Sequence, residues 1–150
     1  MSGDGRYVVF ESDADDLVPG DTNGRVDVFL RDLRTGATER VSLTAAGGQT
    51  DGDSGQPVIS EDGRHVVFRS EASGLVAGET ARGPLFARDL RTGVNRRVTV
   101  AHDGGESDSQ SWSDAAVSRD GRVVAFESWA TNLVPDDTNG LRDVFVRRLR

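Results

Sequence analysis

Apolar residues in this chain come in short runs, each closed by a turn. Tyr7-Val8-Val9-Phe10, Val66-Val67-Phe68 and Val123-Val124-Ala125-Phe126 are apolar at neighbouring positions, which predicts strands buried on both faces. Each run follows Ser-x-Asp-Gly-Arg, at residues 2–6, 60–64 and 118–122, a tight turn in which glycine supplies the positive φ. Further strands are predicted at 27–32, 85–89 and 143–147. After the Thr-Gly turns at 35–36 and 92–93, residues 38–43 and 96–100 alternate polar and apolar, as an outer strand with one wet face does. Residues 57–60 and 115–117 are short apolar inner strands. The stretch 15–26 is a long polar connection with Pro, Gly and Asn-Gly turn signals, and 44–56 is rich in Gly, Asp, Ser and Thr; both predict loops.

These elements recur with a fixed period. Asp4, Asp62 and Asp120 stand 58 positions apart, as do Phe10, Phe68 and Phe126. A period of this length marks a repeat architecture. Each 58-residue unit holds an inner strand, an Asp-Gly turn, a buried strand, a long loop, a third strand, a Thr-Gly turn and an outer strand. The copies span about 2–56, 57–114 and 115–150. The first begins without its inner strand and the third stops before its outer one, so ten strands are expected.

A four-stranded antiparallel sheet repeated at this spacing is a propeller blade. Ser-x-Asp-Gly-Arg-x-Val-x-Phe, Asn-Leu-Val-Pro-x-Asp-Thr-Asn-Gly-x-x-Asp-Val-Phe-Val-Arg and Asp-Leu-x-Thr-Gly resemble the TolB-like, WD-like blade repeats of bacterial β-propellers. The resemblance covers almost the whole chain. It implies an all-β fold of propeller blades in an incomplete ring, either part of a longer propeller or a half-ring that self-associates. It also implies an extracytoplasmic setting. Function is less determined, because the shared residues build blades.

Composition narrows the partners. The formal net charge is −7 and the pI near 4.8, which argues against nucleic acid, whose phosphates need a concentrated basic face. All 18 basic residues are arginine, giving planar, bidentate donors. There is no cysteine, hence no disulfide or thiolate metal site. No apolar run approaches the ~18 residues of a membrane span. The opening Met-Ser-Gly-Asp-Gly lacks the basic and apolar regions of a signal peptide.

Candidate chemistry is sparse. Asp21, Asn23 and Asp27, repeated as Asp137, Asn139 and Asp143, could bring three oxygens onto a hard cation such as Ca²⁺. The other reading is a turn, with the side chains bonding back to the backbone. The second copy lacks the set at 79–84, so a blade forms without it. Gly52-Asp53-Ser54-Gly55-Gln56-Pro57 resembles the nucleophile segment of chymotrypsin-like proteases. However, His65 and His102 both follow Ser54, the reverse of that family's order, and Gln56 stands where the family has glycine. The period puts Ser54 in an inter-blade loop. No catalytic residue is assigned.

His65 occupies the position of Tyr7 and Val123, which predicts packing, and His102 a solvated loop. Trp112 and Trp129 could stack on a sugar or peptide at a loop rim, or pack between blades. Asp13, Asp15, Asp16, Asp51 and Asp53 predict an acidic loop face. The expectation is a non-enzymatic binding or scaffold module for a protein or peptide, with no cofactor other than possible Ca²⁺. The alternatives are the accessory propeller of a larger hydrolase, as in prolyl-oligopeptidase-like enzymes, and a Ca²⁺-stabilised glycan-binding propeller.

Overall fold

The computed structural model describes residues 1–78, 84–109 and 115–149. These form ten strands and no helix. Strands β1 (Tyr7–Ser12), β2 (Asp27–Asp32) and β3 (Thr38–Arg40) make the first sheet. Strands β4 (Ser54–Ile59), β5 (His65–Ser70), β6 (Leu85–Asp89) and β7 (Asn95–Arg97) make the second. Strands β8 (Ala116–Val117), β9 (Val123–Ser128) and β10 (Asp143–Arg148) make the third. Each sheet is a simple meander of sequential strands, and every pairing is antiparallel.

The repeated pentapeptide folds the same way three times. In the first copy the Ser2 hydroxyl donates to Asp4 Oδ1 at 2.6 Å and accepts the Tyr7 N–H at 2.9 Å, while Asp4 Oδ1 also accepts the Arg6 N–H at 3.0 Å. Ser60, Asp62, Arg64 and His65 repeat the set, as do Ser118, Asp120, Arg122 and Val123. The turn thus satisfies its own amides locally. These bonds hold the Asp4 and Asp120 carboxyls below their ordinary range, the serine hydroxyl contributing most.

The motif arginine reaches across its sheet. Arg6 forks onto Asp32, with Nη2–Oδ2 at 2.6 Å, and Arg64 onto Asp89 at the same distance. Asp32 and Asp89 are the aspartates of Asp-Leu-x-Thr-Gly, and each also accepts an amide of its own turn, from Arg34 and Arg91. Asp32 lies opposite Tyr7 and Asp89 opposite His65; the residue opposite Val123 is Arg148. There Arg122 lies 3.7 Å from Asp120 at the exposed surface.

The sheets stack face to face through two apolar layers. Val28, Leu30 and Val41 of the first sheet meet Ile59, Val66, Phe68 and Phe86 of the second. Val67, Leu85, Ala87 and Val98 of the second meet Val124, Phe126 and Phe145 of the third. Each sheet therefore has a leading face carrying a phenylalanine pair and a trailing face carrying smaller aliphatics. The pairs Phe10–Phe29, Phe68–Phe86 and Phe126–Phe145 have ring centroids 5.8, 6.2 and 5.9 Å apart.

Burial on both faces, expected for all three inner runs, holds in the second sheet only: Val66, Val67 and Phe68 are 0% exposed. Tyr7 to Phe10 are half-buried: Tyr7 and Val9 pack on the edge of the layer shared with the second sheet, while Val8 and Phe10 face the flank where no second sheet packs among the described residues. The third sheet shows the same effect on its trailing face. Val144 is 71% and Val146 68% exposed, whereas Val28 and Leu85 at the first position, and Leu30 and Ala87 at the second, are all under 9%.

Two boundaries differ from the sequence reading. β4 begins at Ser54, so Ser54 lies in a strand and not in the inter-blade loop. Its hydroxyl is buried against Ser70 Oγ at 2.8 Å. The strand start was hidden by a register slip between Gly55 and Val58, where Gln56 takes φ 54°. The outer strands β3 and β7 have three residues each, after which Val41 and Val98 still bond to Val28 and Leu85 carbonyls.

Candidate functional site

Strand direction sorts the connections onto two ends of the stack. The Asp-Gly and Thr-Gly turns gather at one end, and the long loops and sheet-to-sheet connections at the other. At the loop end lie residues 13–26, 43–53, 71–78, 98–109 and 129–142. In these stretches arginine occurs only at Arg25 and Arg142, and carboxylates are frequent. The turn end mixes both signs.

The sequence-predicted set Asp21, Asn23 and Asp27 does converge, and its centre is occupied by a guanidinium. Arg40 Nη2 lies 2.7 Å from Asp21 Oδ2, and Arg40 Nε 3.5 Å from Asp27 Oδ2; these side chains are 6%, 4% and 0% exposed for Arg40, Asp21 and Asp27. Asn23 Nδ2 donates to Asp27 Oδ2 at 2.8 Å, and Asn23 Oδ1 accepts the Arg25 N–H at 3.1 Å, closing the Asn-Gly turn. Asp27 Oδ1 accepts the hydroxyls of Ser42 and Thr50. Gln49 ties the loop down through Thr22 and Gly20. A buried carboxylate pair is tolerable only with such a counter-charge and with hydrogen bonds to its oxygens; Arg40 Nε, 3.5 Å from Asp27, contributes charge and makes no hydrogen bond itself. In the third sheet Asn139 Nδ2 bonds Asp143 Oδ2 at 2.7 Å and Asn139 Oδ1 accepts the Leu141 N–H. The same turn is thus built there in a more exposed setting, with Asp137 and Asp143 half-buried.

Sequence reasoning missed Arg40. The signal was present: Arg40 and Arg97 precede Val41 and Val98 at the same point of their copies.

The acidic loop residues divide into two groups. Asp51 accepts the Ser73 amide and hydroxyl at 2.8 and 2.7 Å, and Asp53 the Val26 amide at 3.1 Å. Asp108 repeats the Asp51 role toward Thr131, whose hydroxyl and amide hold the Asp108 carboxyl below its usual range. These aspartates lock one sheet's loop to the next. Asp13, Asp15 and Asp16, by contrast, are exposed and have no ion-pair partner among the described residues. Trp129 is 46% exposed on the same end, following β9; Trp112 lies outside the described residues. His65 packs on Gly121, as the packing reading expects, and His102 is exposed, its amide bonded to the Asn132 carbonyl.

At the turn end, a cleft of ≈ 710 Å³ between the first two sheets is lined by Asp4, Arg6, Tyr7, Asp32, Glu39, Asp62, Arg64 and Arg91, among others. The Arg6 guanidinium sits 4.6 Å over the Tyr7 ring. The forks from Arg6 and Arg64 hold the Asp32 and Asp89 carboxyls far below the usual carboxylate range, against a smaller opposing effect of burial.

Separate antiparallel meanders stacked face to face, with turns at one end and loops at the other, define consecutive blades of a β-propeller. Solved structures agree with that class. TolB from Acinetobacter baumannii is similar over 99% of this chain and 30% of its own, at 21% identity and a TM-score of 0.53. The tricorn protease is similar over 87% of this chain and 11% of its own, at 14% identity and 0.55. An oligogalacturonate lyase from Vibrio parahaemolyticus is similar over 87% and 27%, at 14% identity and 0.52. This chain thus spans less than a third of each, and the likeness is one of fold. No family model matches the sequence. No curated protein matches it either.

Proposed function

We propose that these blades are a non-enzymatic binding module whose loop end captures a basic segment of a partner protein or peptide. The observation that carries this reading is the exposed trio Asp13, Asp15 and Asp16, set among further carboxylates on a rigid rim. Charges not consumed by internal pairs are available to a partner, and fields of one sign concentrate ligands of the other. The partner is a segment rich in Arg or Lys; Trp129, on the same end but in the third blade, offers an apolar contact to a segment that runs along the rim. An extracytoplasmic setting belongs to the same proposal and rests on the TolB-like resemblance.

The test is fluorescence anisotropy with a labelled Arg/Lys-rich peptide and a Glu-rich control. The basic peptide should bind, and binding should weaken as salt shortens the Debye length to about 8 Å at physiological strength. Asp15→Asn with Asp16→Asn should weaken it more than the charge-matched turn-end pair Glu39→Gln with Glu61→Gln. Equal effects from the two pairs would refute a specific loop face. A second reading, an accessory propeller within a larger enzyme, is favoured by the likeness to a protease and a lyase; adjoining sequence carrying a catalytic domain would support it.

A further inference from the structure

Buried Leu30 and half-buried Tyr7 and Leu90 form the apolar part of the turn-end cleft between the first two sheets. The Tyr7 ring also joins its two sides, since a Cβ on Gly63 of the second sheet's turn would lie 2.9 Å from it. Arg6 and Arg64 line the cleft with guanidiniums already committed to Asp32 and Asp89. Asp4 and Asp62 commit Oδ1 to their own turns and leave Oδ2 without a bond among the described residues. Two charges remain. Glu39 on β3 and Arg91 in the second sheet's Thr-Gly turn are both exposed and both line the cleft. Neither side chain has a hydrogen-bond or ion-pair partner among the described residues. One wall thus carries an unanswered acid and the other an unanswered base. Between the second and third sheets the place of Glu39 is taken by Arg96, so the opposed pair is particular to this cleft.

We propose that this cleft binds a short apolar peptide by both of its ends: Glu39 takes the α-ammonium, Arg91 the α-carboxylate, and the apolar side chains rest on Leu30, Tyr7 and Leu90. The volume of ≈ 710 Å³ lies within the roughly 300–1,000 Å³ of small-molecule sites. Arginine suits a carboxylate because its planar fork meets both oxygens. The open Oδ2 atoms of Asp4 and Asp62 accept peptide N–H groups. A ligand of one sign alone would satisfy one of the opposed pair and meet like charge at the other. The forks on both walls hold the cleft in shape before the ligand arrives, which lowers the cost of binding. This site lies at the opposite end of the stack from Asp13, Asp15 and Asp16 and stands independently of them.

Isothermal titration calorimetry on the 150-residue chain with the dipeptide Leu-Leu tests the proposal. Leu-Leu should bind, and N-acetyl-Leu-Leu and Leu-Leu amide, each lacking one end charge, should bind about tenfold more weakly. Glu39→Gln should lower the affinity for Leu-Leu and leave that for N-acetyl-Leu-Leu unchanged. Arg91→Gln should lower the affinity for Leu-Leu and leave that for Leu-Leu amide unchanged. Both side chains are exposed, so both variants should keep the wild-type far-UV spectrum. Absence of saturable heat with Leu-Leu into the millimolar range would overturn the proposal. So would blocked peptides that bind as tightly as the free one, or folded variants that bind Leu-Leu as the wild type does.

Discussion

Replacing Arg40 by methionine tests the charge arrangement at the loop end of the first blade. The substitution keeps an apolar stem of similar length and removes the guanidinium from between Asp21 and Asp27, whose side chains are 4% and 0% exposed. Two buried carboxylates would then face each other with only neutral donors around them. Breaking a buried pair by removing one partner costs about 3–5 kcal/mol. For a domain of this length, each kcal/mol moves the melting temperature by roughly 2–4 °C, so the variant should melt about 6–20 °C lower. Arg40→Lys keeps the charge and loses the fork, and should fall between. Thermal melts by circular dichroism at neutral pH read all three proteins. Asp21→Asn in the Arg40→Met background should recover part of the loss, because it removes one of the stranded charges. A loss within the roughly 0–1 kcal/mol of a surface ion pair would refute the reasoning, since Arg40 would then be dispensable to the buried acids.

Three further outcomes are expected. Asp32 and Asp89 have their pKa depressed from 3.8 by Arg6 and Arg64, so their stabilisation is complete above pH 3.8 and is lost as pH falls through the folded value; urea midpoints of Asp32→Asn and Asp89→Asn should differ from wild type at pH 7 and converge with it in strong acid. Gly121→Ala and Gly5→Ala share a strained positive φ, but only the first drives a Cβ into His65; calorimetry should show Gly121→Ala the more destabilising, and equal losses would remove the ring-on-glycine contact from the account. Chelator should leave the melting temperature unchanged, since Arg40 already holds the first oxygen set; a rise on adding Ca²⁺, abolished by Asp143→Asn, would instead assign an ion to Asp137, Asn139 and Asp143.

The repeat was legible because its signals are local. Ser-x-Asp-Gly-Arg closes its own hydrogen bonds within six residues, so its spacing reports a turn, and the turn fixes the strands either side. Asp21, Asn23 and Asp27 were legible as a converging set for the same reason. What occupies their centre was not, because Arg40 arrives through the register that sets it opposite Phe29, a relation between strands that periodicity does not carry. The beginning of β4 was hidden similarly: Gly55 and Gln56 read as loop, and only the bulge against β5 keeps them in the sheet. Exposure of Val144 and Val146 follows from neighbour count along the stack, which the pattern Asp-Val-Phe-Val-Arg cannot express, being nearly the same in a covered blade.

The exchange of aspartate for Arg148 opposite Val123 has a kinetic consequence. In the first two blades the arginine fork clamps the turn to the far strand; in the third the far strand offers no carboxylate at that register, and Arg122 lies instead 3.7 Å from Asp120 of its own turn. Opening should therefore begin at β10, and amide hydrogens of the third blade should take up deuterium before those of β5 and β6, the central sheet serving as the last part of the molecule to let solvent in.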